Sequence, residues 1–226
     1  MKKDFSIILP IYKQVNQLRH LFEIYKKHLE KTAYSFTLHF IINGPDDGSY
    51  DLAVDLCNSE TNFKAYKINE AGWGNAVKYG IEISDAKYIC YTNSARTKIE
   101  DLIMILDYAV VNENNIVKAN RIIRESFFRK LGSVIYNFEN RKFFKTPIWD
   151  VNGTPKVFPA NLLNSIQIWS DGDLIDAELI AKAFKKNHPI IEIPILSTER
   201  ISGKSTTNLK SAFNMYFGLI KLKNKI

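Results

Sequence analysis

Ser-Asp-Ala-Lys-Tyr-Ile-Cys-Tyr-Thr-Asn-Ser-Ala-Arg-Thr-Lys-Ile-Glu-Asp, residues 84–101, is the stretch whose reading decides the fold class. Lys87 to Tyr91 has the β-rich, apolar character of a short buried strand, and small polar residues end it abruptly. A helix is expected from Ile99. The turn between them, Thr92 to Arg96, therefore lies at the carboxyl end of a strand, where open α/β sheets bind their ligands. It offers amide, hydroxyl and guanidinium groups and no carboxylate.

Upstream, strand and helix alternate. Phe5 to Leu9 reads as a strand stopped by Pro10, with a loop through Gln14. Val15, Leu18, Leu21, Phe22, Tyr25 and Leu29 share one face of a helix. Phe36 to Ile42 is a second strand, and Asn43-Gly44-Pro45-Asp46-Asp47-Gly48-Ser49 is a dense turn cluster. A short helix, Asp51 to Asn58, and a third strand, Phe63 to Ile68, follow. Asn69 to Asn75 is a glycine-bearing turn into a helix at Ala76 to Ile83. The helix Ile99 to Val111 then leads to a strand at Asn115 to Ala119. Such alternation with short turns predicts a doubly wound, mostly parallel α/β sheet.

Downstream the pattern loosens. A basic helix is expected over about Ser126 to Arg141, then a loop and strand over Thr146 to Phe158. An amphipathic helix at Leu174 to Lys186, a strand at Pro189 to Leu196 and a last helix from Asn208 complete the chain. That last helix carries Phe213, Tyr216, Phe217 and several lysines, so it could lie on an anionic membrane surface or dock on the core.

The formal net charge is +7, from 31 basic and 24 acidic residues, which favours an anionic partner. No helix-turn-helix, zinc or RNA-sheet motif accompanies it, so nucleic acid is not the expected partner. No apolar run reaches the roughly 20 residues that span a bilayer, and the N-terminus shows no cleavage pattern. Cys57 and Cys90 lack partners at metal-ligand spacing and read as reduced core thiols. A cytoplasmic location, peripheral at most, is the expectation. The four histidines do not group at ligand spacing.

Three strand ends bring polar loops to one edge: Pro10-Ile11-Tyr12, Asn43 to Ser49, and Thr92 to Arg96. The Gly72-Trp73-Gly74-Asn75 turn joins them. Glycines permit close backbone approach, and a helix N-terminus offers free amides to a phosphate. The turn matches neither the dinucleotide fingerprint nor a P-loop.

Taken in order, Phe-Ser-Ile-Ile-Leu-Pro-Ile-Tyr, Phe-Ile-Ile-Asn-Gly-Pro-Asp-Asp-Gly-Ser, Asn-Glu-Ala-Gly-Trp-Gly-Asn-Ala and Tyr-Ile-Cys-Tyr-Thr-Asn-Ser-Ala resemble the nucleotide half of family-2 glycosyltransferases of the GT-A fold. Ala119-Asn120-Arg121, Asp150 to Phe158, Ile175-Asp176-Ala177-Glu178-Leu179, Ile191 to Ile195 and Glu199 to Ser205 resemble its later segments. The polyprenyl-phosphate sugar transferases, such as dolichyl-phosphate mannosyltransferase, look like the nearest branch. The resemblance implies one GT-A-like domain over residues 1–226, with a nucleotide-binding half (1–120) and an acceptor half with the C-terminal helix (121–226).

It also implies inverting sugar transfer from a nucleotide-sugar donor to a glycan hydroxyl or a polyprenyl phosphate. Asn43 stands where the family places a base-recognising acid. Asn93-Ser94-Ala95 stands where its Asp-x-Asp holds magnesium or manganese on the diphosphate. Those ions want hard, charged oxygens, so no metal ligand is assigned here. Protein cations can neutralise a departing diphosphate instead, with Arg96, Lys98, Arg121, Arg200 and Lys204 as candidates. Pro10, Tyr12, Gly72, Trp73, Asn75 and Asn93 complete the donor set. For a hydroxyl acceptor the candidate bases are Asp173, Asp176 and Glu178; for a phosphate acceptor, Arg121, Arg124 and Lys156 would hold the anion. The alternative is a silent GT-A protein that binds or scaffolds.

Overall fold

The computed structural model describes residues 2–123, 127–196 and 209–226, with side chains at all of these except 123, 127–131 and 209–214. Strand–helix alternation opens the chain: β1 (Lys3–Ile11), α1 (Val15–Leu29), β2 (Phe36–Asn43), α2 (Ser49–Cys57), β3 (Phe63–Ile68), α3 (Trp73–Glu82), β4 (Ala86–Tyr91), α4 (Ile99–Val111) and β5 (Ile116–Ile123). Then come α5 (Phe127–Phe144), β6 (Lys156–Pro159), α6 (Ala160–Asn164), α7 (Ile175–Lys185), β7 (Ile190–Leu196) and α8 (Leu209–Lys223). The strands form one sheet in the order β3-β2-β1-β4-β6-β5-β7. Every described pairing is parallel except those of β6, which runs antiparallel to β4 and β5. This is the doubly wound, mostly parallel α/β architecture that the alternation of elements predicts.

β1 does not stop at Pro10. It runs on to Ile11, with Pro10 paired to Ile41 of β2. Proline lacks an N–H, so a central strand tolerates it only where no acceptor is needed. The Ile8 carbonyl accepts the Thr92 N–H on the β4 side, and Pro10, two residues on, faces that same side. β4 has ended at Tyr91 by then, so the missing donor faces no strand. The first helix and the third strand fall where the pattern put them. α3 begins earlier than expected, at Trp73, and β5 extends further, to Ile123.

Two apolar layers enclose the sheet. One packs α1, α2 and α4 on Phe5, Leu38, Phe40 and Cys90; the other packs α3, α6 and α7 on Ile8, Ile89, Tyr91 and Phe158. Burying a large apolar side chain contributes roughly 1.5–3 kcal/mol, so these layers dominate the stabilisation. The last helix docks: Leu219 and Leu222 are buried in the second layer, and Gly218 admits Leu174. Cys57 and Cys90 are both free thiols. No helix among the described residues is long and apolar enough to cross a membrane.

Candidate active site

Because β1, β2 and β4 are parallel, their carboxyl ends share one edge. Asn43, at the end of β2, is buried there and ties three elements together. Its amide donates to the Ile11 carbonyl at 2.9 Å, and its oxygen accepts the Gly72 N–H at 3.1 Å. The side chain expected to read a base is thus engaged with backbone. Gly72 has φ +140°, a conformation that favours glycine. Two residues on, a Cβ at Gly74 would lie 2.4 Å from the Gly172 carbonyl oxygen, so only glycine lets the 171–172 backbone rest on the start of α3. Tyr12 lies over Gly44 on the rim, Pro10 is buried beneath, and Asn75 donates to the Ala71 carbonyl at 3.3 Å.

Asp176 is the point where α3, β4, β6 and α7 meet. Only 4 % exposed, it sits in the first turn of α7. Its Oδ2 accepts the Trp73 indole N–H at 3.1 Å. Its Oδ1 accepts the Tyr91 hydroxyl at 2.9 Å and the Lys156 ammonium. Burial pulls the Lys156 pKa down to about 8 against the pull of Asp176. Burial, then the Asp176 charge, pushes the Tyr91 phenol well up. Lys156 is fully buried, so it is not the open phosphate-holding cation the sequence suggested.

Glu178 also departs from its expected place. It is fully buried, and its oxygens accept the backbone N–H groups of Trp169 (2.8 Å) and Ser170 (2.7 Å) and the Lys182 ammonium. Burial works to raise its pKa, but Lys182 and these donors outweigh it and hold the carboxyl low. Glu178 shapes the 169–172 loop and does not face the cleft as a base. Asp173 differs from both. Its side chain reaches solvent and has no hydrogen bond or ion pair among the described residues. Partial burial of its carboxyl, then repulsion from Asp176, raises its pKa.

At the end of β4 the turn folds back on itself. The Asn93 oxygen accepts the Ala95 N–H at 3.0 Å. Ser94 is buried and donates to the Gln14 oxygen at 2.8 Å and the Pro10 carbonyl at 3.2 Å. Thr92 and Thr97 share a hydroxyl hydrogen bond of 2.6 Å. Magnesium and manganese prefer carboxylate, phosphate and water oxygens. An occupied amide, an occupied hydroxyl and a buried alanine do not fit either ion. No group of three or more metal-ligating side chains occurs among the described residues. Arg96 follows on this turn, half-buried and engaged, and Lys98 is exposed.

Behind the site a polar row crosses four strands. Tyr91, Lys156, Lys118 and Glu192 are successive register partners on β4, β6, β5 and β7. Lys118, fully buried, donates to Glu192 at 3.0 Å and to the Ala119 and Asp150 carbonyls. Burial lowers its pKa, with Glu192 opposing. Glu192 in turn accepts the Trp149 and Asp150 N–H groups at 2.7 and 3.0 Å. Asp150 receives the Arg121 guanidinium through two bonds, 2.7 and 2.9 Å. Arg121 is therefore anchored and its charge matched. Lys118 and Tyr91 escaped the sequence reading. The available signal was a lone lysine inside the apolar run Ile116-Val117-Lys118-Ala119, with Glu192 in a matching strand. Arg200, Lys204 and Arg124 lie outside the described residues.

A model of the glycosyl transferase family 2 matches residues 6–166. Among solved structures, the chain is similar to glucosyl-3-phosphoglycerate synthase from Mycobacterium tuberculosis in complex with Mn2+, UDP and glucosyl-3-phosphoglycerate. The TM-score is 0.71 at 12 % identity, over 97 % of this chain and 78 % of that one. The same enzyme with Mn2+, UDP and phosphoglyceric acid gives a TM-score of 0.74 at 12 % identity, over 97 % and 77 %. At such identity the likeness is one of fold.

Proposed function

Because the chain belongs to glycosyl transferase family 2, a family of sugar transferases, we propose that it moves a sugar from a nucleotide-sugar donor to an acceptor hydroxyl with inversion, without a divalent ion on the diphosphate. The observation that carries this is the β4 turn: Asn93 and Ser94 spend their oxygens inside the protein, while Arg96 follows on the same turn. The solved structures named above hold UDP, which makes a uridine nucleotide the first donor to try.

The donor nucleotide lies along Tyr12, Gly72, Trp73 and Asn75, above buried Pro10, with the first amides of α3 toward its phosphates. Arg96 meets the charge that grows on the leaving diphosphate, helped by Arg200 and Lys204. Asp173 takes the acceptor proton as the acceptor oxygen bonds to the sugar's anomeric carbon. The bond from that carbon to the diphosphate oxygen breaks, and the nucleoside diphosphate leaves with the electron pair. Asp176 positions Trp73. An acceptor hydroxyl suits Asp173, which has no hydrogen-bond or ion-pair partner among the described residues; a polyprenyl phosphate, already anionic, would need no base.

Thermal-shift measurements against a panel of nucleotide sugars test the reading. Stabilisation by at least one of them in EDTA, reduced by Arg96→Ala, is expected. No stabilisation by any member, with or without manganese, would favour a second reading, a silent binding protein. The Asp176 contacts favour that rival specifically, since Trp73, Tyr91 and Lys156 leave this carboxylate little freedom.

A further inference from the structure

Helix α5 buries two amides and exposes three large apolar side chains. Its inner face carries Asn137 and Asn140, 4 % and 1 % exposed, beside Phe143 and Phe144. Asn137 accepts the Val151 N–H at 3.0 Å, and Asn140 donates to the Tyr136 carbonyl at 2.9 Å. Its outer face carries Val134, Ile135 and Phe138, 54 %, 51 % and 58 % exposed. At 3.6 residues per turn these fall within roughly 100° of the circumference, together with exposed Lys142, and exposed Lys145 follows just past the helix end. The one acid on this helix, Glu139, lies outside that arc.

The patch continues onto the next loop. Trp149 is 67 % exposed, and the Arg141 guanidinium lies over its ring at 4.6 Å while donating to the Ile148 carbonyl. Buried Ile148 and Asp150 flank it, so this tryptophan is held outward by a fixed backbone. Scattered apolar residues on a surface are ordinary; three on one helix face, with an outward tryptophan stacked on Arg141 of the same helix and lysines beside them, are not.

We propose that this face docks on an anionic lipid bilayer, with Phe138 and Trp149 entering the headgroup region and Lys142 and Lys145 meeting lipid phosphates. Apolar residues flanked by lysine and arginine are the composition of an interfacial helix, and tryptophan concentrates at that depth. A second copy of the chain is the weaker occupant: a two-fold contact is self-complementary, so it would set these lysines near their own copies. The proposal is independent of the transfer reading.

Co-sedimentation with vesicles of phosphatidylcholine alone, and of phosphatidylcholine with phosphatidylglycerol, tests it. Binding to the anionic vesicles, weakened by salt, is expected. Lys142→Gln and Lys145→Gln should each lower the partition roughly fivefold, and Phe138→Asp with Trp149→Asp should abolish it. Unchanged melting temperatures would exclude unfolding as the cause. Equal binding to neutral vesicles, no binding to either, or binding that these variants leave intact would overturn it. So would a concentration-dependent dimer that Phe138→Asp dissociates.

Discussion

Tyr91 and Lys156 are cross-strand neighbours on β4 and β6, and both reach the same oxygen of Asp176. Lys156 is fully buried and Asp176 nearly so. This pair joins the sheet to α7, and the indole of Trp73 joins it to α3. Removing one member of a buried pair strands the other's charge, at a cost of about 3–5 kcal/mol. Lys156→Met should therefore lose that much in urea unfolding, and Lys156→Met with Asp176→Leu should recover most of it. A single variant within 1 kcal/mol of the parent would show that the pair does not hold α7 in place.

Asp173 and Asp176 make different predictions. Asp173→Asn should lower kcat by about 10²–10⁴, with unaltered donor binding and melting temperature. Asp176→Asn should lower both activity and stability, because it acts through Trp73 and Lys156. The Asp173 pKa is raised by burial and Asp176. As a base it works deprotonated, so kcat should fall as pH drops through a value raised from that of an ordinary aspartate. A pH profile that Asp173→Asn leaves unchanged would remove it as the base.

Gly74→Ala tests the contact between α3 and the 171–172 backbone. The added Cβ meets backbone, not a flexible side chain, and overpacking of this kind typically costs about 1–3 kcal/mol. Nucleotide-induced stabilisation should fall with it, since α3 must retreat from residues 171–172. Full nucleotide binding in a stable Gly74→Ala protein would contradict the close approach described here.

His39 supplies an acid-stability prediction. Burial holds its pKa near 4, well below the ordinary imidazole value. The unfolded chain thus binds the extra proton first, so stability is fully present above about pH 6.5. It is lost as pH falls from there toward 4, by up to roughly 3 kcal/mol. His39→Gln should flatten this limb in denaturation curves at pH 4 to 7. An unchanged limb would assign acid sensitivity elsewhere.

Much of this was legible in the sequence because period and turn chemistry are local. Val15 to Leu29 shows its helical face, and the run from Lys87 to Tyr91 shows a buried strand and its end. Antiparallel β6 was harder. Lys156 to Pro159 is only four residues long and contains a lysine, yet it lies between β4 and β5 in the sheet. Site roles failed where they depended on partners distant in sequence. Nothing around Glu178 announces that Trp169, Ser170 and Lys182 take its oxygens. Nor does the neighbourhood of Asn43 reveal that Ile11 and Gly72 engage its amide. The Asn93-Ser94-Ala95 turn could be read directly, because a missing carboxylate is missing in any conformation.

Isothermal titration of UDP into the protein, once in EDTA and once in manganese, most directly tests whether positive side chains replace the ion. The account predicts dissociation constants that agree within about threefold, under 1 kcal/mol. Binding seen only with manganese, or tightened a hundredfold by it, would contradict it.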